Sequence, residues 1–472
     1  MHRLHVWQLV LLMTYAVRTE AISCPLLPPS KTCSCVIKTR GLDLSCDRAG
    51  LDDLRQSIKA VTGTKENVWY LKLRNLKLNN IPRDILGDMH VTHFIVHNSS
   101  LSSIDDEAFS GIAEYLETLD LAQNSLDRVP TTALENLSNL ASLNLNYNKI
   151  EILHAEAFRG LISLVRLNLF GNKIKFIDNL AFEGTGGNLT HINFGDNHLS
   201  SVPSRPLKNL TVLQKLQLHN NNITAIIADE FEGMGENIDA LELSDNQLKE
   251  LPERAFKNLK TLNSLDLENN HIHFIHPNAF EGIEDSLEWL KLGGNLLEAI
   301  PHEALHRLEK LRQLDIRQNR ITRLSDVDFE HYGRTLKFIF LQKNLIHTIE
   351  DNAFMDLISL EWLYLQSNQL TSAPYETYRS VLNTLQILDL HENPFHCNCQ
   401  ILWFKDWMKD VKSSVVNMPR ETRCEAPPHL KGKAIAYVTN KDLGCLDGDT
   451  SSSDTVSIKT TYIFFLLIIL WR

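Results

Sequence analysis

One arrangement of apolar and polar positions recurs through most of the 472 residues: L-x-x-L-x-L-x-x-N-x-L. It reads as Leu116, Leu119, Leu121, Asn124 and Leu126, then as Leu140, Leu143, Leu145, Asn148 and Ile150. Its asparagine returns at 124, 148, 172, 197, 221, 246, 270, 295, 319, 344, 368 and 393, at steps of 24 or 25 residues. Two weaker copies precede these, with Leu76 and Ser99 at the asparagine position, giving fourteen repeats. Leucines two apart, such as Leu119 and Leu121, point one face of a short strand inward and leave Asp120 outward. Leu126 and Val129 return the chain over the same core. The asparagine falls where the chain leaves the strand, a place for a buried amide to bond backbone that no strand satisfies. A second file keeps the same step: Phe109, Leu134, Phe158, Phe182, Leu207, Phe231, Phe256, Phe280, Leu305, Phe329, Phe354 and Tyr378. It predicts a stacked spine behind the strands, often inside an A-F-x-G phrase such as 181–184.

A period of this length means stacked units, each burying its neighbour's apolar face. The phrase resembles the leucine-rich repeat. That resemblance implies an α/β solenoid, a curved horseshoe of about fourteen repeats with a parallel concave sheet and disulfide caps. Strands about 4.8 Å apart give that sheet an arc of roughly 65 Å, enough for a folded protein partner.

The two ends carry addresses. His2 and Arg3, an apolar run over 4–17 and the small residues Thr19 and Ala21 follow the order of a secretory signal, predicted over 1–21. Residues 462–471 are all apolar or aromatic, too few to cross a bilayer as a helix. With the polar spacer 454–461 and the small residues before it, they fit a lipid-attachment signal over 447–472, with Ser451 and Ser452 as candidate anchor residues. The expected location is the outer face of the plasma membrane on a glycosylphosphatidylinositol anchor, or, alternatively, the secreted state. Between the addresses, the sequence predicts an N-terminal cysteine cap over 22–52, the solenoid over 53–394 and a C-terminal cysteine cap over 395–446.

Composition narrows the partner. With 47 Lys+Arg against 58 Asp+Glu, the net charge is −11, and no basic excess exists to displace phosphate counterions, so nucleic acid is not expected as a partner. All eight cysteines lie outside the repeats: Cys24, Cys33, Cys35 and Cys46 before them, Cys397, Cys399, Cys424 and Cys445 after. A secreted chain meets an oxidising compartment, where small end caps are held by disulfides. C-x-C without a paired C-x-x-C is poor zinc spacing, and no metal or cofactor is expected.

The run Asn393-Pro394-Phe395-His396-Cys397-Asn398-Cys399, then Leu402-Trp403-Phe404, Cys424 and Cys445, resembles the C-terminal cap of extracellular leucine-rich-repeat proteins. Residues 24–46 resemble their N-terminal cap. The resemblance implies the pairs Cys24–Cys35, Cys33–Cys46, Cys397–Cys424 and Cys399–Cys445; spacing alone leaves the connectivity open. Cys24-Pro25, Cys33-Ser34-Cys35 and the run 41–46 are similar to arthropod members likened to the non-catalytic subunit of shrimp luciferin monooxygenase. The lipid-anchored layout also resembles the insect adhesion proteins chaoptin and connectin.

Five sequons, at Asn98, Asn136, Asn188, Asn209 and Asn222, are candidate glycan sites, all in the N-terminal half. Glycans there would leave the C-terminal half freer to bind. His302-Glu303-Ala304-Leu305-His306 matches H-E-x-x-H, but Leu305 belongs to the spine, which argues against a zinc helix. His271, His273 and His276 flank the inward Ile272 and Ile275 and so project from a loop. No nucleophile elbow, phosphate loop or dinucleotide fingerprint is present, and the expectation is a non-enzymatic protein. Outward strand positions are polar in the middle repeats (Asn144, Asn168, Gln217, Glu242, Asp266) and change later. Trp289, Phe338, Phe340, Trp362 and Tyr364 stand outward, with Arg312, Asp315 and Arg317 between them. Clustered aromatics with interleaved arginines have the composition of a binding hot spot. The expected partner is a protein, a second copy of the chain included, and the expected role is adhesion or co-receptor recognition. A secreted subunit stabilising an enzyme and recognition of a microbial ligand are the alternatives.

Overall fold

The computed structural model describes residues 23–29, 31–234, 236–408 and 422–445. The segments predicted to be signal and anchor, Ser451 and Ser452 among them, lie outside the described residues. Two compact units share the chain: Met1–Asn222 with Gly233–Ile238, and Ile223–Glu232 with Asp239–Arg472.

The first unit opens on an antiparallel hairpin, Cys33–Lys38 against Gly41–Asp47. From there its sheet is parallel: Val68–Arg74, Val91–His97, Thr118–Asp120, Ser142–Asn144, Arg166–Asn168, His191–Asn193 and Lys215–Gln217. The second unit repeats the arrangement with Ala240–Glu242, Ser264–Asp266, Trp289–Lys291, Gln313–Asp315, Phe338–Phe340, Trp362–Tyr364 and Ile387–Asp389. One strand per coil makes fourteen coils of a parallel β-solenoid. In each three-residue strand the central side chain is buried and the flanking ones face outward, as in Leu290 between Trp289 and Lys291.

The asparagine does the work its position implies. All twelve are buried. Asn270 is representative: its Nδ2 donates to the carbonyls of Leu243, Leu267 and Glu268 at 3.0, 3.1 and 3.1 Å, and its Oδ1 accepts from Leu248 N–H at 3.0 Å. One side chain thus ties its own coil to the one before it. Ser99 keeps part of this role: its Oγ accepts from Leu76 N–H at 3.2 Å and donates to the His97 carbonyl at 2.9 Å. The residue before every asparagine has a positive φ, Tyr147, Lys343 and Glu392 included. The coil therefore turns the same corner whatever side chain stands there.

Behind the strands, the spine rings stack: Phe158 on Phe182 in the first unit, Phe231 on Phe256 and Phe256 on Phe280 in the second, at centroid distances of 5.4 to 6.1 Å. The helical share of the wall is small. It consists of four-residue helices, Thr131–Leu134, Ser204–Leu207, His302–Leu305 and Tyr375–Tyr378, each preceded by a proline. These are the coils whose spine residue is Leu or Tyr; where it is Phe, the wall is turn, apart from the 3₁₀ helix Tyr332–Thr335 after Phe329. Proline fixes φ near the helical value and starts a single helical turn.

Both ends are closed. Helix Leu51–Thr62, which runs across the boundary expected at residue 52, lays Leu54, Ile58 and Val61 on the first coils. Asp52 and Asp53 in its first turn and Lys59 in its last suit the helix dipole. At the other end Trp403 lies 5.2 Å from the last spine ring, Tyr378, and donates its indole N–H to the Ala373 carbonyl at 2.8 Å. The disulfides are Cys24–Cys35, Cys33–Cys46, Cys397–Cys424 and Cys399–Cys445.

Candidate recognition surface

Strand register sorts the outward side chains of the second unit into files. Trp289, Gln313, Phe338 and Trp362 stand in one file; Lys291, Asp315, Phe340 and Tyr364 in the next. Trp289 and Phe338 stack at 6.3 Å across Gln313, and Phe338 meets Trp362 at 4.6 Å. In the second file Phe340 and Tyr364 lie parallel at 5.1 Å, 8° apart. All five rings are half-buried, so each packs on a neighbouring ring and still offers part of its surface to solvent. Burial, reinforced by the Asp389 carboxylate, raises the Tyr364 phenol above its ordinary value.

Charged pairs border the rings on both sides. Before the strands, Arg312 pairs with Glu288 at 3.2 Å and Lys337 with Glu361 at 2.7 Å. After them, Arg317 reaches Glu268 at 2.6 Å, passing over Gly293. A Cβ on Gly293 would come within 3.0 Å of Glu268 Oε1 and 3.1 Å of Arg317 Cγ, so the missing side chain is what lets these two coils pair. Lys291 bonds Asp266 at 2.9 Å; burial opposes its charge, but Asp266 outweighs that and raises it.

Asp315 occupies a different place from its neighbours. Its register is outward, yet it is 3% exposed, roofed by Arg317 and flanked by Lys291 and Phe340. Burial pushes its carboxyl up to about 6, against the pull of Arg317. It supports the surface from beneath, while Arg312 and Arg317 form the border.

The first unit carries two ring clusters that alternation along the sequence does not reveal. Strand Val68–Arg74 contains a bulge, with Val68 opposite Leu42 but Tyr70 opposite Asp43. The skipped residue, Trp69, sets its ring edge-on to His93 at 4.6 Å, and Tyr70 stacks on His93 at 4.7 Å. Further along, Tyr147 meets Phe170 at 5.3 Å, and Phe170 reaches the His219 ring at 5.5 Å across Gly195. Phe170 and His219 stand two residues beyond the strand, in a third outward file, where the sequence pattern shows no apolar preference.

The five sequon asparagines are exposed. Asn188 Nδ2 donates to the Ile162 carbonyl at 3.0 Å and Asn98 Nδ2 to Asn75 Oδ1 at 2.7 Å; each keeps a second N–H position for a substituent. In the H-E-x-x-H phrase, the helix His302–Leu305 has four residues, and His306 Nδ1 lies 2.6 Å from the Glu303 carbonyl. Among the described residues no three His, Cys, Asp or Glu side chains gather to hold a metal ion, His271, His273 and His276 included. Among them, too, no helix is long and apolar enough to cross a membrane.

Comparison with known proteins agrees with this architecture. The leucine-rich-repeat family model matches residues 114–174, 187–236, 236–297, 285–335 and 329–370, just over half of the chain. Leucine-rich repeat-containing protein 3B of Homo sapiens is 30% identical over 125 residues, 26% of this chain and 44% of that protein. Vasorin of Xenopus tropicalis is 39% identical over 54 residues, 11% of this chain and 8% of its own length. The chain thus spans less than half the length of the curated relatives it matches. Among solved structures, a leucine-rich-repeat protein of Leptospira interrogans superposes with a TM-score of 0.58 at 23% identity, over 78% of this chain and 93% of that one. A chain of the Drosophila Toll–Spatzle complex gives 0.52 at 18%, over 87% and 75%. These likenesses are of fold. Repeating coils, buried asparagine ladder, capped ends and family match make this chain a member of the leucine-rich-repeat family.

Proposed function

We propose that the chain is a cell-surface recognition protein, tethered by a lipid anchor and binding a protein ligand through the second unit's sheet face. The observation that carries this reading is the five-ring patch Trp289, Phe338, Phe340, Trp362 and Tyr364 inside a border of paired charges. An apolar, aromatic centre within a polar rim is the anatomy of a protein interface, and such anchors cost about 2–4 kcal/mol each when truncated. Adhesion or co-receptor binding, homophilic or heterophilic, is the favoured form. The N-terminal cap's similarity to arthropod members supports a second form, a secreted non-catalytic subunit that steadies an enzyme; recognition of a microbial ligand would use the same face.

The test is a cell-aggregation assay with the full chain displayed on cells. Phe340→Ala with Trp362→Ala should abolish aggregation or partner-cell binding while surface level stays normal. Unchanged adhesion by this variant would refute the patch. Release by phosphatidylinositol-specific phospholipase C supports the anchor; protein already in the medium before treatment favours the secreted subunit.

A further inference from the structure

Net positive charge lies at the two ends of this acidic chain, most strongly at the first, since residues 395–446 hold eight Lys and Arg against five Asp and Glu. Residues 31–77 hold ten Lys and Arg against five Asp and Glu, whereas residues 78–394 hold 25 against 44. A polyanion is therefore repelled by the repeats and attracted to the caps, to the first more than to the second.

The fold brings part of this charge to one place. The turn between strands Cys33–Lys38 and Gly41–Asp47 carries Lys38 and Arg40. The loop that follows helix Leu51–Thr62 docks onto that turn: Asn67 Nδ2 donates to the Arg40 carbonyl at 3.0 Å, and Leu42 N–H donates to the Asn67 carbonyl at 2.8 Å. Lys65 stands in the docked loop, and Lys38, Arg40 and Lys65 are all exposed. Among the described residues no carboxylate pairs with any of the three. The Arg40 guanidinium instead lies 4.9 Å from the centre of the Trp69 ring. That ring is held in turn by His93, itself stacked on Tyr70. Burial lowers the His93 imidazole, Glu117 opposes the shift and Arg40 adds to it. The ring platform thus stands without a charge of its own at neutral pH.

We infer that this corner, Lys38, Arg40 and Lys65 beside the Trp69 ring, is a binding site for a sulfated polysaccharide. The Arg40 guanidinium, laid over the indole ring and without a carboxylate partner, takes a sulfate with charge-assisted hydrogen bonds, and Lys38 and Lys65 add charge beside it. Disulfide-bonded caps put the site where such chains occur, outside the reducing cytosol. The site is separate from the ring patch of the second unit and does not depend on its role.

The experiment measures binding of the full purified chain to immobilised heparin, in rising salt. The variant Lys38→Glu, Arg40→Glu, Lys65→Glu should lose at least tenfold in affinity and show a shallower salt dependence. Phe340→Ala with Trp362→Ala should bind heparin normally. All three charge positions are exposed, and the milder Arg40→Ala with Lys65→Ala gives a second reading should charge reversal impair secretion. Heparin binding that survives both sets of substitutions overturns the site. Competition by desulfated heparin or by polyglutamate as strong as that by heparin overturns the sulfate assignment, and the polyglutamate result would point to an acidic protein segment.

Discussion

Replacing one ladder asparagine measures what holds neighbouring coils together. In Asn270→Ala, the carbonyls of Leu243, Leu267 and Glu268 lose a shared donor pair and the Leu248 N–H loses its acceptor. The site is 5% exposed, so bulk water does not replace these bonds directly. Two donor bonds and one acceptor bond, at about 1–2 kcal/mol for each buried group left unpaired, put the cost at roughly 3–6 kcal/mol. The lower end applies if a water enters the space vacated by the amide. Stability in a solenoid is local to each coil and its neighbours, so the loss should be local too. Hydrogen–deuterium exchange of the full chain reads this directly. Amides over 243–272 should exchange roughly a hundredfold to ten-thousandfold faster, since each 1.4 kcal/mol is a factor of ten. Amides over 119–148, in the other unit, should be unchanged. Asn270→Ser should fall between wild type and Ala, because Ser99 shows that a hydroxyl supplies the acceptor and a single donor. Exchange over 243–272 within tenfold of wild type in Asn270→Ala would refute the ladder as the tie between coils.

Adjacent glycines should answer one substitution in opposite ways. A Cβ on Gly186 would sit 1.8 Å from the Ile162 carbonyl oxygen, whereas one on Gly187 meets nothing within 4 Å. Gly186→Ala should cost about 1–3 kcal/mol by overpacking and Gly187→Ala should be neutral or stabilising by up to about 1 kcal/mol, as urea unfolding of the two variants will show. Asp315 should make stability pH-dependent. Its folded pKa, raised to about 6 from 3.8, means the folded state holds the proton more tightly, so its contribution is complete below about pH 4 and is lost as pH rises through 6. The shift corresponds to about 3 kcal/mol, and Asp315→Asn should gain on wild type by up to that amount between pH 4 and pH 7.5. A gap between the two proteins that stays constant across this window would contradict the assignment.

The sequence shows most clearly what each coil must do for itself. An asparagine every 24 or 25 residues satisfies backbone of its own and adjacent coils, so its absence would be felt at once, and its periodicity marks the fold. The rings of the first two outward files were legible for the same reason, because alternation within a three-residue strand fixes their direction. Proline before 131, 204, 302 and 375 also signals a local event, one helical turn in place of a turn wall, although Pro82 and Pro252 start none. What escaped the pattern depends on how one coil meets the others. Trp69 faces outward only because a bulge shifts the register, and Asp315 is buried only because Arg317 lies over it to reach Glu268.

Glycine in the third outward file links several of these cases. Gly195 lets Phe170 touch His219, and Gly293 lets Glu268 touch Arg317, each across an intervening coil. In both, a Cβ would strike the side chains now occupying the gap. A glycine at that position therefore predicts a contact 49 residues apart in sequence, between the coils on either side. A reading that asks only which residues point outward finds the rings and charges, but not which of them meet. The arrangement of the recognition surface is set as much by where side chains are missing as by where they stand.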